Sequence, residues 1–238
     1  MPPFLLKSIV KSVILWYNLS NLERELTMKP IYIFDLDGTL VDSMPSFAKG
    51  ILKIADDAGL SYDETLLKTL TPLGYQKSAE YYVNELGVKD TVENIVSRIK
   101  QNLVYQYTNN IVTKSGVREY LKRLFDGGAR LFVLTASPHL VTDVCLRKNG
   151  VYDFFEQVWS VDDFSLNKSD TRLFFKVAET LNCKPEEIHY FDDSLIALDN
   201  AKKSGYLTYA VYDAQNEEEV ALMKREYDVF VENFDELL

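Results

Sequence analysis

The stretch Ile31-Tyr32-Ile33-Phe34-Asp35-Leu36-Asp37-Gly38-Thr39 limits what this chain can fold into more than any other. Four consecutive β-branched and aromatic residues, preceded by Pro30, read as a short buried strand ended by a turn. Asp35 then stands at or just past the strand's C-terminal end, the edge at which open parallel α/β sheets bind their ligands. Two carboxylates two positions apart, followed by Gly and Thr, suit a hard cation and a phosphate. Asp supplies oxygen ligands of the kind Mg2+ takes, and an ionised Asp is also a covalent nucleophile toward phosphorus. Gly38 permits a tight turn and Thr39 offers a hydroxyl. Asp and Gly are equally turn residues, so a polar turn after a strand is the competing reading.

Two further apolar runs end in the same manner. Arg130 to Leu134 runs into Thr135-Ala136-Ser137-Pro138, and Glu187 to Phe191 runs into Asp192-Asp193-Ser194. Between them Asn167-Lys168-Ser169-Asp170 opens a helix expected over Thr171 to Leu181. Carboxylates packed together without a cation repel and raise a pKa, so an acidic cluster of this kind asks for a metal.

The hydrophobic strand followed by D-x-D-x-T resembles the first motif of the haloacid dehalogenase (HAD) superfamily. Thr135, Lys168 and the Asp192-Asp193 pair are similar to its second, third and fourth motifs, in order. The resemblance covers residues 30–238. It implies an α/β fold, a Rossmann-like doubly wound parallel core at 30–45 and 111–238 with a small α-helical cap at 46–110. It also implies that Asp35 is the nucleophile and Asp37 the general acid and base. Thr135 and the adjoining backbone N–H of Ala136 then bind the phosphoryl oxygens, and Lys168 neutralises charge. Mg2+ is held by Asp35, the backbone carbonyl of Asp37 and Asp193, with Asp192 direct or through water. The dehalogenases lack the second Asp, so Asp37 speaks for phosphoryl transfer. The implied function is Mg2+-dependent hydrolysis of a small phosphomonoester (a phosphoglycolate, sugar phosphate or nucleotide) through an aspartyl-phosphate. A phosphomutase and a non-catalytic binding module on the same fold stay open. The chain departs from the family's Lys-Pro-Asp-Pro, having Lys-Ser-Asp-Thr, which bears on the loop's rigidity and leaves the charge intact. Lys114, the competing cation, is out of order.

Between the first and second motifs the pattern is helical. A helix follows Ser43 and stops near Gly59. Ser61-Tyr62-Asp63-Glu64 reads as a capping box, residues 75–86 as a third helix, and Thr91 as the cap of a helix to about Tyr107. Thr71 to Tyr75 falls where related caps carry a specificity loop, and Lys77 is a nearby cation. Tyr81 and Tyr82 read as packing. Further on, Ser137-Pro138 reads as N-cap and first helical residue, which makes Ser137 structural, and His139 as a surface or capping residue. Ser194 is expected to cap a helix over 195–204, with Asp199 on its surface, and Glu217 to Tyr227 to form a helix.

Composition narrows the partners. The 238 residues include 26 Lys and Arg against 36 Asp and Glu, a net charge of −10 that disfavours nucleic-acid backbones and anionic membranes. Cys145 and Cys183 lack metal-ligand spacing and fit reduced thiols of a cytoplasmic protein, and two histidines are too few for a His-based zinc site. Residues 1–29 read as an N-terminal extension. Its longest apolar run, Val13 to Tyr17, falls far short of the roughly 20 residues a bilayer span needs. A surface or interfacial helix is the alternative, and a membrane-associated enzyme would follow from it.

Overall fold

In the computed structural model, which describes residues 29–70 and 73–238, the first apolar run becomes one of the two central strands of a sheet that orders everything around it. β1 (Ile31–Phe34) pairs with β2 (Arg130–Thr135) on one side and β4 (Ile188–Asp192) on the other, both parallel. β3 (Gln157–Ser160) extends the β2 side, and β5 (Leu207–Val211) and β6 (Val229–Val231) extend the other. The six strands run in the order β3-β2-β1-β4-β5-β6. The chain winds outward from β1 to β3, then returns to lay β4 against β1. The crevice beyond the C-terminal ends of β1 and β4 is therefore the topological switch point, where such sheets bind ligands.

Side-chain alternation splits the strands between two faces. Ile31, Ile33, Phe132, Leu134, Ile188 and Tyr190 pack on one face with helices α7 (Thr171–Leu181) and α8 (Leu195–Lys203). Phe34, Leu131, Val133 and Phe191 pack on the other with α5 (Val117–Asp126) and α6 (His139–Lys148). Phe34 is the hub of that second face. Its fully buried ring lies 4.7 Å from Phe191, 6.4 Å from Phe155 and 6.5 Å from both Tyr120 and Phe234.

Four helices stand between β1 and β2: α1 (Met44–Asp57), α2 (Glu64–Leu70), α3 (Gly74–Asn84) and α4 (Val92–Asn109). They carry their own apolar cluster, including Ile51, Ile54, Leu66, Leu70, Tyr82, Ile95, Ile99 and Leu103. Tyr82 is buried, as packing required, and its hydroxyl donates to the Ile51 carbonyl at 3.0 Å. Gly50 lets α1 and α4 approach closely, since a Cβ there would come within 2.7 Å of Leu103. The chain enters and leaves this insert through one short antiparallel contact. Val41 bridges Thr113, Asp42 N–H donates to the Val112 carbonyl at 3.1 Å, and Lys114 N–H donates to the Leu40 carbonyl at 3.0 Å.

Several local expectations change. The second helix of the insert is capped by Asp63, whose carboxylate accepts from Thr65 N–H at 2.8 Å, rather than by a Ser61 capping box. Thr91 caps α4 as read, accepting from Asn94 N–H at 3.2 Å. Asp170 caps α7, accepting from Arg172 N–H at 2.9 Å. Ser194 makes no side-chain cap; the turn before α8 is closed by Asp192, which accepts from Ser194 N–H at 2.8 Å. The expected helix over Glu217 to Tyr227 divides into a 3-10 stretch, Ala214–Glu219, and α9 (Val220–Glu226), with non-helical backbone at Asn216. Asp199 accepts from Tyr227 at 2.8 Å, which ties α8 to the residue after α9. Among the described residues no helix is long and apolar enough to cross a membrane. Residues 1–28, with the apolar leader, and Thr71-Pro72 of the expected specificity loop lie outside the described residues.

Phe34→Ala removes the ring on which one sheet face is packed. The expected cost is about 3–5 kcal/mol, the range for emptying a buried aromatic site, and chemical denaturation with an unchanged m-value would measure it.

Candidate active site

Asp35 follows β1 and is held in line with it by its own N–H, which donates to the Phe191 carbonyl of β4 at 2.8 Å. Leu36 then turns the chain back, its carbonyl accepting from the N–H groups of Thr39, Leu40 and Val41. Gly38 is the residue that makes this turn possible. Its φ is +77°, and a Cβ there would fall onto the Asp193 carboxylate. The glycine brings the first motif's backbone against the acidic pair after β4. Thr39 completes the junction by donating to Asp193 Oδ1 at 3.1 Å.

Three carboxylates meet in this crevice. Ligand atoms of Asp35, Asp192 and Asp193 all lie within 4.8 Å of one another. Lys168 reaches into the same space from the loop before α7. Its Nζ lies 2.5 Å from Asp35 Oδ1 and 2.8 Å from Asp192 Oδ2, and all three side chains are at least 88 % buried. Asp192 is saturated: Oδ2 also accepts from Tyr190 at 2.5 Å, and Oδ1 from Ser194 N–H. Asp193 is held by Thr39 and by Asn216, whose side-chain N–H2 donates to its backbone carbonyl at 2.8 Å.

One lysine does not balance three acids. Burial, then the neighbouring Asp192, Asp193 and Asp37, pushes the Asp35 carboxyl well above the usual carboxylate range, against the pull of Lys168. Burial and Asp192 raise Asp193 to about 7. Burial opposes the Lys168 ammonium, but Asp192 and Asp35 outweigh it and keep it charged. Asp35 Oδ1 is buried against the Lys168 ammonium. An all-oxygen donor set and an excess of negative charge that one lysine does not cancel together fit a hard divalent cation held by Asp35 and Asp193.

Asp37 is turned away from this cluster. Its Oδ1 accepts from Tyr107 at 2.6 Å and its Oδ2 from Ser137 at 2.6 Å. Ser137 was expected to cap α6 and does not; Pro138 occupies the N-cap position, which frees the hydroxyl for Asp37. Thr135 is buried at the C-terminal end of β2, its hydroxyl oxygen accepting from Ser137 N–H at 3.0 Å, and Ala136 is exposed in the loop that follows. Ala136 and Pro138 line a cleft of about 530 Å³ together with Phe47, Tyr75 and Leu103 of the insert. The cation lining this cleft is Lys100 on α4 rather than Lys77. Lys114 stays out of the cluster, as its order implied, but supports it. Its ammonium pairs with Asp213 at 3.0 Å and donates to the carbonyls of Tyr212 and Gly38. His139 is exposed and bridges Asp143 and Asp163.

The structure thus brings together Asp35, Lys168, Asp192 and Asp193, with Asp37, Thr135 and Ala136 beside them. Sequence reading missed Tyr107, Asn216 and Tyr190. Only Tyr190 left a signal, since residues 190 and 192 share one face of β4.

Comparison with known proteins agrees with this geometry. Residues 32–211 match the family model described as haloacid dehalogenase-like hydrolase. The Phosphorylated carbohydrates phosphatase of Thermotoga maritima is 26% identical over 173 residues, 73% of this chain and 80% of the relative. The Phosphoglycolate phosphatase of Rhodobacter capsulatus is 26% identical, covering 78% of this chain and 84% of its own. Among solved structures, CbbY from Rhodobacter sphaeroides in complex with phosphate is similar in fold. Its TM-score is 0.70 at 18% identity, over 88% of this chain and 96% of that one.

Two outcomes follow for stability. Lys168→Met leaves buried carboxylates uncompensated and should lower stability by about 3–5 kcal/mol, read by denaturant melts. Asp193→Asn removes a carboxylate whose ionised form is costly where it sits. Its raised pKa means that this cost is full above about pH 7. In EDTA at pH 8 this variant should therefore melt above the wild type, and it should lose the rise in Tm that added Mg2+ gives the wild type.

Proposed function

The chain belongs to the haloacid dehalogenase-like hydrolases, and on that premise we propose that it is a Mg2+-dependent phosphatase of small phosphomonoesters working through an aspartyl-phosphate. The observation that carries this reading is the opposite surroundings of two carboxylates two residues apart. Asp35 is buried against Lys168 and two further acids, while Asp37 is half-buried and held by two hydroxyls. Pairs of carboxylates in contrasting environments divide into distinct chemical roles.

In this reading Asp35 attacks phosphorus as the bond from phosphorus to the ester oxygen breaks. Asp37, as the acid, gives its proton to that departing oxygen. Asp37 then takes a proton from the water that attacks the aspartyl-phosphate, which releases inorganic phosphate and restores Asp35. General acid and base work of this kind contributes roughly 10²–10⁴-fold. Lys168, the Thr135 hydroxyl and the Ala136 N–H meet the phosphoryl oxygens, where fixed donors stabilise developing charge. Asp35, Asp193 and the Asp37 backbone carbonyl would hold Mg2+, with Asp192 direct or through water, and the ion would add positive charge beside the phosphoryl group. Asp192 serves chiefly to hold Lys168.

The helices of residues 46–110 act as a cap over the cleft, and closure excludes water from the aspartyl-phosphate. The carbohydrate-phosphate and phosphoglycolate phosphatases that the chain resembles support a small metabolite ester as substrate. A non-catalytic module is disfavoured, because every side chain of the four motifs is present and Asp35, Lys168, Asp192 and Asp193 gather in one crevice.

The test is phosphate release from p-nitrophenyl phosphate and a panel of metabolite phosphates, with Mg2+ or EDTA. Release should require Mg2+ and fall to background in Asp35→Asn. Folded wild-type protein that releases phosphate from no ester in Mg2+ would sink the reading.

A further inference from the structure

Tyr107 sits near the end of the last helix of the insert, 70 residues from Asp37 in sequence, and is nearly fully buried. Its phenol O–H donates to Asp37 Oδ1 at 2.6 Å. Ser137 holds the other oxygen at the same distance, and it differs in position. It stands in the loop between two cleft-lining residues, Ala136 and Pro138, and is itself partly exposed. The two oxygens of one carboxylate are therefore not equivalent. One is pinned in the interior by a rigid aromatic hydroxyl, and the other is held at the cleft by a small one.

We propose that Tyr107 is the positioning residue for Asp37: it fixes Oδ1, so that Oδ2, on the Ser137 side, is the oxygen that passes the proton to and from the reacting groups. This rests on the phosphatase reading above. An ionised Asp37 receives both hydroxyls as donors. When Oδ2 carries the proton, the Ser137 hydroxyl turns to other partners, while Tyr107 keeps donating to Oδ1 and holds the carboxyl plane. The proton on Oδ2 then goes to the ester oxygen as its bond to phosphorus breaks and the bond from Asp35 forms. Without Tyr107 the carboxyl rotates about its own axis, and the acid is misplaced when the leaving group needs it. Misplacement of a catalytic group by about 1 Å costs on the order of 10²-fold.

The same helix face carries Leu103 and Lys100, four and seven residues before Tyr107, and both line the cleft. α4 thereby contributes the wall against which a substrate lies and the hydroxyl that aims the acid.

The experiment compares kcat/KM for phenyl phosphate and p-nitrophenyl phosphate in the wild type, Tyr107→Phe and Asp37→Asn. The two esters share shape, but nitrophenolate departs readily without a proton, whereas phenolate is as basic as a tyrosine side chain and gains from an acid. kcat/KM reports the step in which the leaving group departs and is blind to later hydrolysis of the aspartyl-phosphate. Tyr107→Phe keeps the buried ring, and it should lower the phenyl ester's kcat/KM about 10-fold more than that of the nitrophenyl ester, a part of what general acid catalysis contributes. Asp37→Asn should shift the ratio the same way and further. Equal losses for both esters, or no loss, would overturn the assignment. Ser137→Ala, acting on the oxygen that Tyr107 does not hold, keeps the assignment testable should Tyr107→Phe fail to fold: it should leave the ester ratio near that of the wild type, and a shift as large as that of Asp37→Asn would overturn the assignment. Wild-type protein that turns over neither ester removes the phosphatase reading itself, an outcome distinct from any change in the ratio.

Discussion

The contact on which the site depends is Lys168 lodged between Asp35 and Asp192. Gathering carboxylates at a sheet edge is unfavourable twice over, through lost hydration and through mutual repulsion. The effective penalty is several kcal/mol for each buried ion. The fold bears this by bringing the lysine from a third element, the loop before α7, and by saturating Asp192 with Tyr190 and a backbone N–H, so that one acid serves chiefly to hold the lysine. The remaining excess charge falls on Asp35 and Asp193, whose raised pKa values mark the place where further positive charge belongs. The winding of the sheet makes this possible, because β1 and β4 end side by side only where the strand order reverses.

The two motif aspartates illustrate how a single turn separates two environments. From Asp35 to Asp37 the chain leaves the strand and folds over Gly38, and that change of direction sends one carboxylate into the charged crevice and the other toward hydroxyl groups. Gly38 matters here for its missing side chain as well as its positive φ, since Asp193 occupies the space a Cβ would take.

Much of this was legible because strand-then-turn motifs are local. Ile31 to Asp37, Leu131 to Ala136 and His189 to Asp193 each place their polar residues within two or three positions of an apolar run, and period and order sufficed to line them up. Lys168 was legible for a different reason: although both flanking prolines are missing, Ser169 and Asp170 still mark a capped helix start, and Asp170 caps α7. What sequence could not reveal were contacts set by the meeting of distant elements. Tyr107 and Ser137 reach Asp37 across 70 and 100 residues. Ser137 was misread because Ser-Pro is a good cap signature, and here the proline itself takes the cap position. Ser61 was passed over for Asp63 for a similar reason, two suitable cap residues standing two apart and the helix starting after the second. Residue type names the candidates for a cap, but the exact start of the helix selects among them.

The short pairing of Val41 with Thr113 has a further meaning. It brings the two points where the insert joins the sheet into direct hydrogen-bonded register, so the sheet sees those helices as a loop whose ends already touch. Closing such a loop costs an entropy that grows only with the logarithm of its length. The junction is therefore a natural graft point: helices can be lengthened, shortened or exchanged beyond it while strand register, the turn at Gly38 and the charges at the crevice stay as they are. A lineage built on this chain's core can change its choice of ester by rewriting one segment, provided that the replacement again delivers a donor to Asp37.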